Sequence, residues 1–170
     1  IGGGTVRPEF ELLTGLDTET LPSGSTPYEY ITRPLESYVS NYRDAGYHTV
    51  AVHPYIPSFY ARDAAYPYLG FDAFYSHQDL EQMGPLSYKR GYVTDESLEA
   101  IMEQILDQSE EPMFLFAITM ENHQPFSPLP EEEIQIQVSS DLLSQSSLDT
   151  VTTYVQGLYD ADQMLGRLVE

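Results

Sequence analysis

A threonine directly after three glycines, Gly2-Gly3-Gly4-Thr5, is the stretch of this sequence best suited to chemistry. Consecutive glycines let the main chain take positive φ and admit a ligand without a Cβ in the way. Thr5 has the residue type of a helix N-cap, Pro8 is tolerated in a first turn, and Leu12 and Leu13 precede a stop at Gly15. A hydroxyl at that point faces free N–H groups and the positive end of the helix dipole, a setting suited to a phosphate-like anion. Local features leave two readings open: a hydroxyl that caps a helix, or one that acts on a bound anion.

Four further positions carry chemistry. His53 and His123 each fall just past an expected strand, which in a parallel sheet puts them on the carboxyl edge where open α/β folds hold ligands. Arg62 stands alone among neutral and acidic residues. Its fork suits phosphate oxygens, although adjacent Asp63 also permits a plain ion pair. Asp162 is either a metal ligand or a hydrogen-bonding residue of its helix. His48 and His77 read as structural or surface histidines, and Glu131-Glu132-Glu133 as a solvated run. No Walker loop, dinucleotide fingerprint, H-E-x-x-H or nucleophile-elbow serine is present.

The elements that must position these residues follow from periodicity and breakers. After the first helix, residues 16–27 form a loop rich in Gly, Pro, Ser and Thr. A helix opening at Thr32 and Pro34 carries the stripe Leu35, Tyr38, Val39, Tyr42 and ends at Gly46. Residues 47–53 are β-branched and aromatic, hence a strand ending at His53. A short helix over 58–66, a short strand over 70–75 and an irregular stretch over 84–91 come next. Thr94 or Asp95 caps a helix with Leu98, Ile101, Met102 and Ile105 on one face. Residues 112–120 are the most continuously apolar run, the mark of a strand buried on both faces, and lead into the polar loop of His123. Leu148, Val151, Val155, Leu158, Leu165 and Val169 line a final long helix. The alternation predicts an α/β class with a mostly parallel sheet, as one domain over 1–170.

Composition limits the partners. Lys+Arg 7 against Asp+Glu 27 gives a formal net charge of -20, which excludes nucleic acid and makes an anionic membrane surface unattractive to this segment. With 41% hydrophobic residues and 14 Tyr, the chain is nonetheless a folding one. Absence of Cys excludes disulfides, thiolate metal sites and a cysteine nucleophile.

Four ordered segments resemble a known family: Gly-Gly-Gly-Thr5-x-x-x-Glu9-Phe10, His53 through Phe59-Tyr60-x-Arg62-Asp63, Leu69-Gly70-Phe71-Asp72, and Thr119-Met120-Glu121-Asn122-His123-x-Pro125-Phe126. Together they are similar to the lipoteichoic acid synthases, phosphoglycerol transferases of the sulfatase-like branch within the alkaline phosphatase superfamily. The resemblance implies a three-layer α/β/α fold and an internal piece of a catalytic domain, without its N- and C-terminal portions. It further implies a bacterial membrane enzyme whose catalytic domain is extracellular and whose membrane segments lie outside this chain. In that family Thr5 is the nucleophile, taking a glycerophosphoryl group from phosphatidylglycerol and passing it to a polyol-phosphate or glycolipid acceptor, or to water. His53, Tyr60, Arg62 and His123 match residues around the glycerophosphate, with Arg62 complementing transition-state charge and His123 assisting proton transfer. The expected cofactor is Mn²⁺ or another divalent cation, with Thr5 as the metal ligand here and the others outside the chain, so residues 1–170 alone are expected to be inactive. Tyr60 replaces a tryptophan and Tyr55 an aspartate of the synthases, so the resemblance does not extend to the glycerol contacts. Three alternatives remain: a sulfuric or phosphoric ester hydrolase, a phosphoethanolamine transferase, and a non-catalytic glycolipid-binding module. A formylglycine sulfatase fits poorly, since Thr5 is not the oxidisable residue that chemistry needs.

Overall fold

The computed structural model describes residues 4–169 and divides into two compact units, residues 1–80 with 108–118, and residues 81–107 with 119–170. The first unit holds a parallel sheet of order β2-β1-β5, with β1 at His48–His53, β2 at Ala73–Ser76 and β5 at Met113–Ala117. The fold is α/β with a parallel sheet, as the alternation of elements predicts. Central β1 is the buried strand, from Thr49 to His53, because it is paired on both sides and its β-branched residues pack on both faces. The apolar run of β5 is only half-buried and lies at the edge of the sheet, which corrects the expectation that it is covered on both faces.

Helices α1 (Val6–Thr14), α2 (Tyr38–Asp44) and α3 (Arg62–Leu69) belong to this unit. Val6, Phe10 and Leu13 recur at helical spacing on α1 and enter a core shared with Tyr28, Val39 and Tyr66. Gly15 ends α1 in a left-handed conformation, as its type requires. Helix α2 begins at Tyr38 rather than near Thr32. Ser37 and Ser40 form a reciprocal capping box there, while the Leu35 amide donates to the Tyr68 carbonyl at 2.9 Å. Gly70, at φ +101°, lets α3 end against α2: a Cβ there would come within 2.9 Å of Ser40 Cα. The helix expected over 58–66 is split, since Tyr60 and Ala61 both have positive φ; a 3₁₀ turn covers Phe59–Ala61 and α3 follows.

Helix α4 (His77–Met83) follows β2 and carries His77, with Asp79 accepting from the Ser76 amide and hydroxyl, each at 2.8 Å. The stretch over 84–91 is not wholly irregular. It leads into an antiparallel pair, β3 (Tyr88–Lys89) and β4 (Tyr92–Val93), in the second unit. There α5 (Asp95–Asp107) has Thr94 at its start, accepting from the Ser97 amide at 3.2 Å, and α6 (Gln145–Leu168) is long. The buried face of α6 is Thr152, Thr153, Gln156, Gly157 and Met164, whereas Leu165 is 57% exposed, so the apolar stripe is not the packed one. Gln156 explains part of this: its Oε1 accepts from the amides of Gln135 at 2.7 Å and Ile136 at 3.2 Å.

Candidate active site

Thr5 stands at the start of α1, behind Gly4 at φ +74°, and is exposed. Its backbone is already helical, φ -65° and ψ -41°, and its side chain makes no capping hydrogen bond. Capping needs an extended N-cap residue whose oxygen folds back onto the first turn, so the helical backbone turns the hydroxyl away from that task. Of the two local readings, the cap is the one the geometry removes. Gly2 and Gly3 lie outside the described residues.

Beneath Thr5, one turn into α1, Glu9 is buried and binds Arg62, which is 1% exposed. Arg62 Nη2 donates to Glu9 Oε2 at 2.6 Å, and Nε reaches Oε1 at 3.1 Å and Oε2 at 3.2 Å. The hydroxyls of Tyr28 and Tyr66 also donate to Oε1, at 2.7 and 2.6 Å. Burial, then the Glu9 charge, pushes both phenols well above their ordinary range, so they stay protonated donors. Burial also works against the guanidinium charge, but the Glu9 carboxylate outweighs it and holds Arg62 cationic. The expected ion pair of Arg62 with Asp63 is therefore replaced by one with Glu9. Arg62 faces a carboxylate, with only Nη1 off Glu9, 3.5 Å from the Phe59 carbonyl. The motif around Thr5 assigns Glu9 no role, although the residue stands out as a carboxylate on the same buried helical face as Val6, Phe10 and Leu13.

Tyr60 lies with its ring 5.2 Å from Arg62 Cζ, at φ 59° and ψ 19°. Two successive non-glycine residues in that region cost of order 1–3 kcal/mol each, and such strain persists where surroundings over-determine the backbone. His53 ends β1, buried, with Nδ1 3.0 Å from the Ile118 carbonyl. A carbonyl can only accept, so Nδ1 carries a proton. An open cleft of about 950 Å³ runs beside α1 and is lined by Gly4, Val6, Arg7 and Tyr60 together with the loop from Leu16 to Thr26. Gly4 and Val6 flank Thr5, so the cleft opens at its position in the chain.

His123 belongs to the second unit, exposed in the loop after β5, with Nδ1 2.6 Å from the Gln124 carbonyl and 3.3 Å from the Tyr92 hydroxyl. Thr5, His53, Tyr60 and Arg62 thus belong to the first unit and His123 to the second. Asp162 is exposed on α6; its neighbour Asp160 instead takes Lys89 Nζ at 2.6 Å, which also lies 3.1 Å from Glu121. Buried Asp95 is pushed up to about 6, first by burial and then by the Glu121 charge. Among the described residues no group of three or more His, Asp or Glu is placed to hold a metal ion. A hard divalent cation needs several oxygen ligands, more than the Thr5 hydroxyl alone could offer.

The Sulfatase family profile matches residues 1–170. The chain belongs to the sulfatase family. Members of this family are enzymes, typically metal-dependent. A Rhizobium meliloti protein named for cyclic beta-1,2-glucan modification is 37% identical over 99% of the chain and 26% of its own length. Among solved structures, lipoteichoic acid synthase LtaP from Listeria monocytogenes is similar at TM-score 0.78 and 23% identity, over 99% of this chain and 40% of that one. Phosphoglycerol transferase GacH of Streptococcus pyogenes, solved with sn-glycerol-1-phosphate, is similar at TM-score 0.74 and 24% identity, over 98% of this chain and 45% of that one. At those identities the solved structures establish a shared fold. This sulfatase-family chain spans about a quarter of the curated relative and under half of either solved chain.

Proposed function

We propose that the protein containing this chain transfers a phosphoglycerol-type group from an anionic phospholipid to a glycopolymer, a glucan being the acceptor class, through a covalent phosphothreonine ester at Thr5. The observation that carries the reading is the exposed Thr5 hydroxyl at a helix N-terminus, beside a positive-φ glycine and unused as a cap. The names of the Rhizobium relative and of GacH, with its bound glycerol phosphate, support the acceptor and donor classes. In this reading the Thr5 oxygen attacks phosphorus, the bond to the diacylglycerol oxygen breaks, and that oxygen leaves with a proton. An acceptor hydroxyl then attacks the same phosphorus, and the bond to Thr5 breaks.

The free amides of the first turn of α1 and its dipole stabilise charge on the phosphoryl oxygens. Arg62 acts by clamping Glu9 and so fixing α1 under the nucleophile. Tyr60 walls the cleft. His123 carries a proton on Nδ1, so in this reading its Nε2 is the nitrogen that exchanges a proton with the substrate. The share of His123 in the reaction rests on the resemblance of Thr119 to Phe126. A divalent cation such as Mn²⁺, when bound, would lower the pKa of the threonine hydroxyl and neutralise phosphate charge, with Thr5 the ligand this chain offers. The setting is the outer face of a bacterial cell membrane. Among the described residues no helix is long and apolar enough to cross a membrane.

The test is mass spectrometry of the full-length protein after incubation with phosphatidylglycerol and a glucan. A glycerophosphoryl adduct on the peptide containing Thr5, absent from Thr5→Ala, is expected. Full turnover by Thr5→Ala would overturn the reading.

A further inference from the structure

The loop that carries His123 has little packing to hold it, because His123, Gln124 and Pro125 are all exposed. Its shape comes instead from the β3–β4 hairpin. The chain has Lys+Arg 7, and the adjacent pair Lys89-Arg90 is directed at this loop. Arg90 and Gly91 form the turn with φ 53° and 85°, the signs of a type I′ hairpin turn. Asn, Asp or Gly suits the first of those positions; arginine there carries a conformational cost.

The arginine side chain has a use that explains the cost. Nη1 donates to the carbonyls of His123 at 3.1 Å and Pro125 at 3.0 Å, and Nη2 donates to the carbonyl of Glu121. Cζ lies 5.6 Å from the centre of the Phe126 ring. Alternate carbonyls of residues 121–125 therefore converge on one planar cation, which a fork of fixed geometry can bridge and a flexible ammonium cannot. From the second strand, Tyr92 donates to the Gln124 carbonyl at 2.9 Å. That carbonyl also receives His123 Nδ1 at 2.6 Å, which fixes the proton on Nδ1.

We propose that Arg90 is a positioning residue: by fastening the carbonyls of Glu121, His123 and Pro125 it sets the orientation and tautomer of His123, with Tyr92 as the second fastening. The proposal rests on the reading in which His123 serves the transfer reaction. It accounts for an arginine at a turn position that disfavours it, and for a hairpin whose polar groups face an exposed loop.

The test uses the full-length enzyme with phosphatidylglycerol and a glucan. Asn fits the type I′ turn, so Arg90→Asn keeps the hairpin and removes only the fork. It should lower kcat on the order of 100-fold, the scale of a misplaced catalytic group, with KM little changed. Arg90→Lys should restore little of it. In ¹⁵N spectra of the histidine rings, His123 should move from the Nδ1-protonated tautomer to a mixture. Adding Arg90→Asn to His123→Ala should cause no further loss, because the two act through one group. An unchanged kcat in Arg90→Asn, or a further loss in the double variant, would overturn the proposal. Wild-type turnover by His123→Ala would instead sink the role of His123 itself, and the tautomer signal would then decide whether Arg90 sets the ring. Should Arg90→Asn not fold, Tyr92→Phe loses a single hydroxyl, and an unshifted His123 tautomer in it would count against the clamp.

Discussion

Arg62 and Glu9 meet at 2.6 Å, fifty-three positions apart in sequence, with side chains 1% and 3% exposed. A buried pair of this kind is weak evidence of net stabilisation, but removing one partner strands the other charge away from water, at a cost of about 3–5 kcal/mol. Arg62→Ala is accordingly expected to lower the unfolding free energy by about that amount in chemical denaturation. A loss below about 1 kcal/mol, the range of exposed pairs, would show that Glu9 is reached by water.

Thr5 offers the opposite expectation. A capping threonine is worth about 1 kcal/mol, yet this hydroxyl makes no capping bond. Thr5→Ala should therefore change stability by less than about 0.5 kcal/mol while abolishing the covalent adduct. A full capping loss in denaturant titration would restore the hydroxyl to a structural role.

Asp95 gives the second unit a pH dependence. Its folded pKa is pushed up to about 6, while an unfolded aspartate titrates near 3.9. The fold therefore favours the neutral acid: this contribution is fully present below about pH 4 and lost as pH rises through about 6. Asp95→Asn stays neutral throughout, so its Tm should exceed that of the wild type near pH 7 and approach it near pH 4. Equal Tm differences at both pH values would contradict the sign.

Gly157 lies inside α6, where alanine is ordinarily better by about 1 kcal/mol. Here a Cβ would overlap the Asn122 amide, with Cγ at 2.5 Å, so Gly157→Ala should destabilise by about 1–3 kcal/mol instead. Thermal unfolding of the variant checks the direction.

Local signals were enough to read α1, from its glycine-threonine start and its stop at Gly15, and β1, from its β-branched run. The α/β class followed from their alternation. What the sequence did not disclose depended on partners far along the chain. Around Arg62 the sequence offers only its neighbour Asp63, and nothing local points to a carboxylate on α1. The hairpin at Tyr88 to Val93 lacks a local signal because arginine is an unusual residue at the turn between Lys89 and Tyr92. The packed face of α6 escaped notice because it is polar: Gln156 and Thr153 are buried by hydrogen bonds that no hydrophobic period records. Of the candidate site, residue types and spacing identified the groups, but whether a hydroxyl caps or a guanidinium faces a carboxylate had to come from geometry.

The sheet of the first unit takes β5 from beyond residue 108, and the second unit takes residues 81–107 from before it. As the chain leaves the ribosome, β1 and β2 emerge long before β5 can pair with β1, and α5 emerges before α6. Neither unit can mature while only the other's portion has been made. Any truncation between residues 81 and 118 leaves both units without part of their chain.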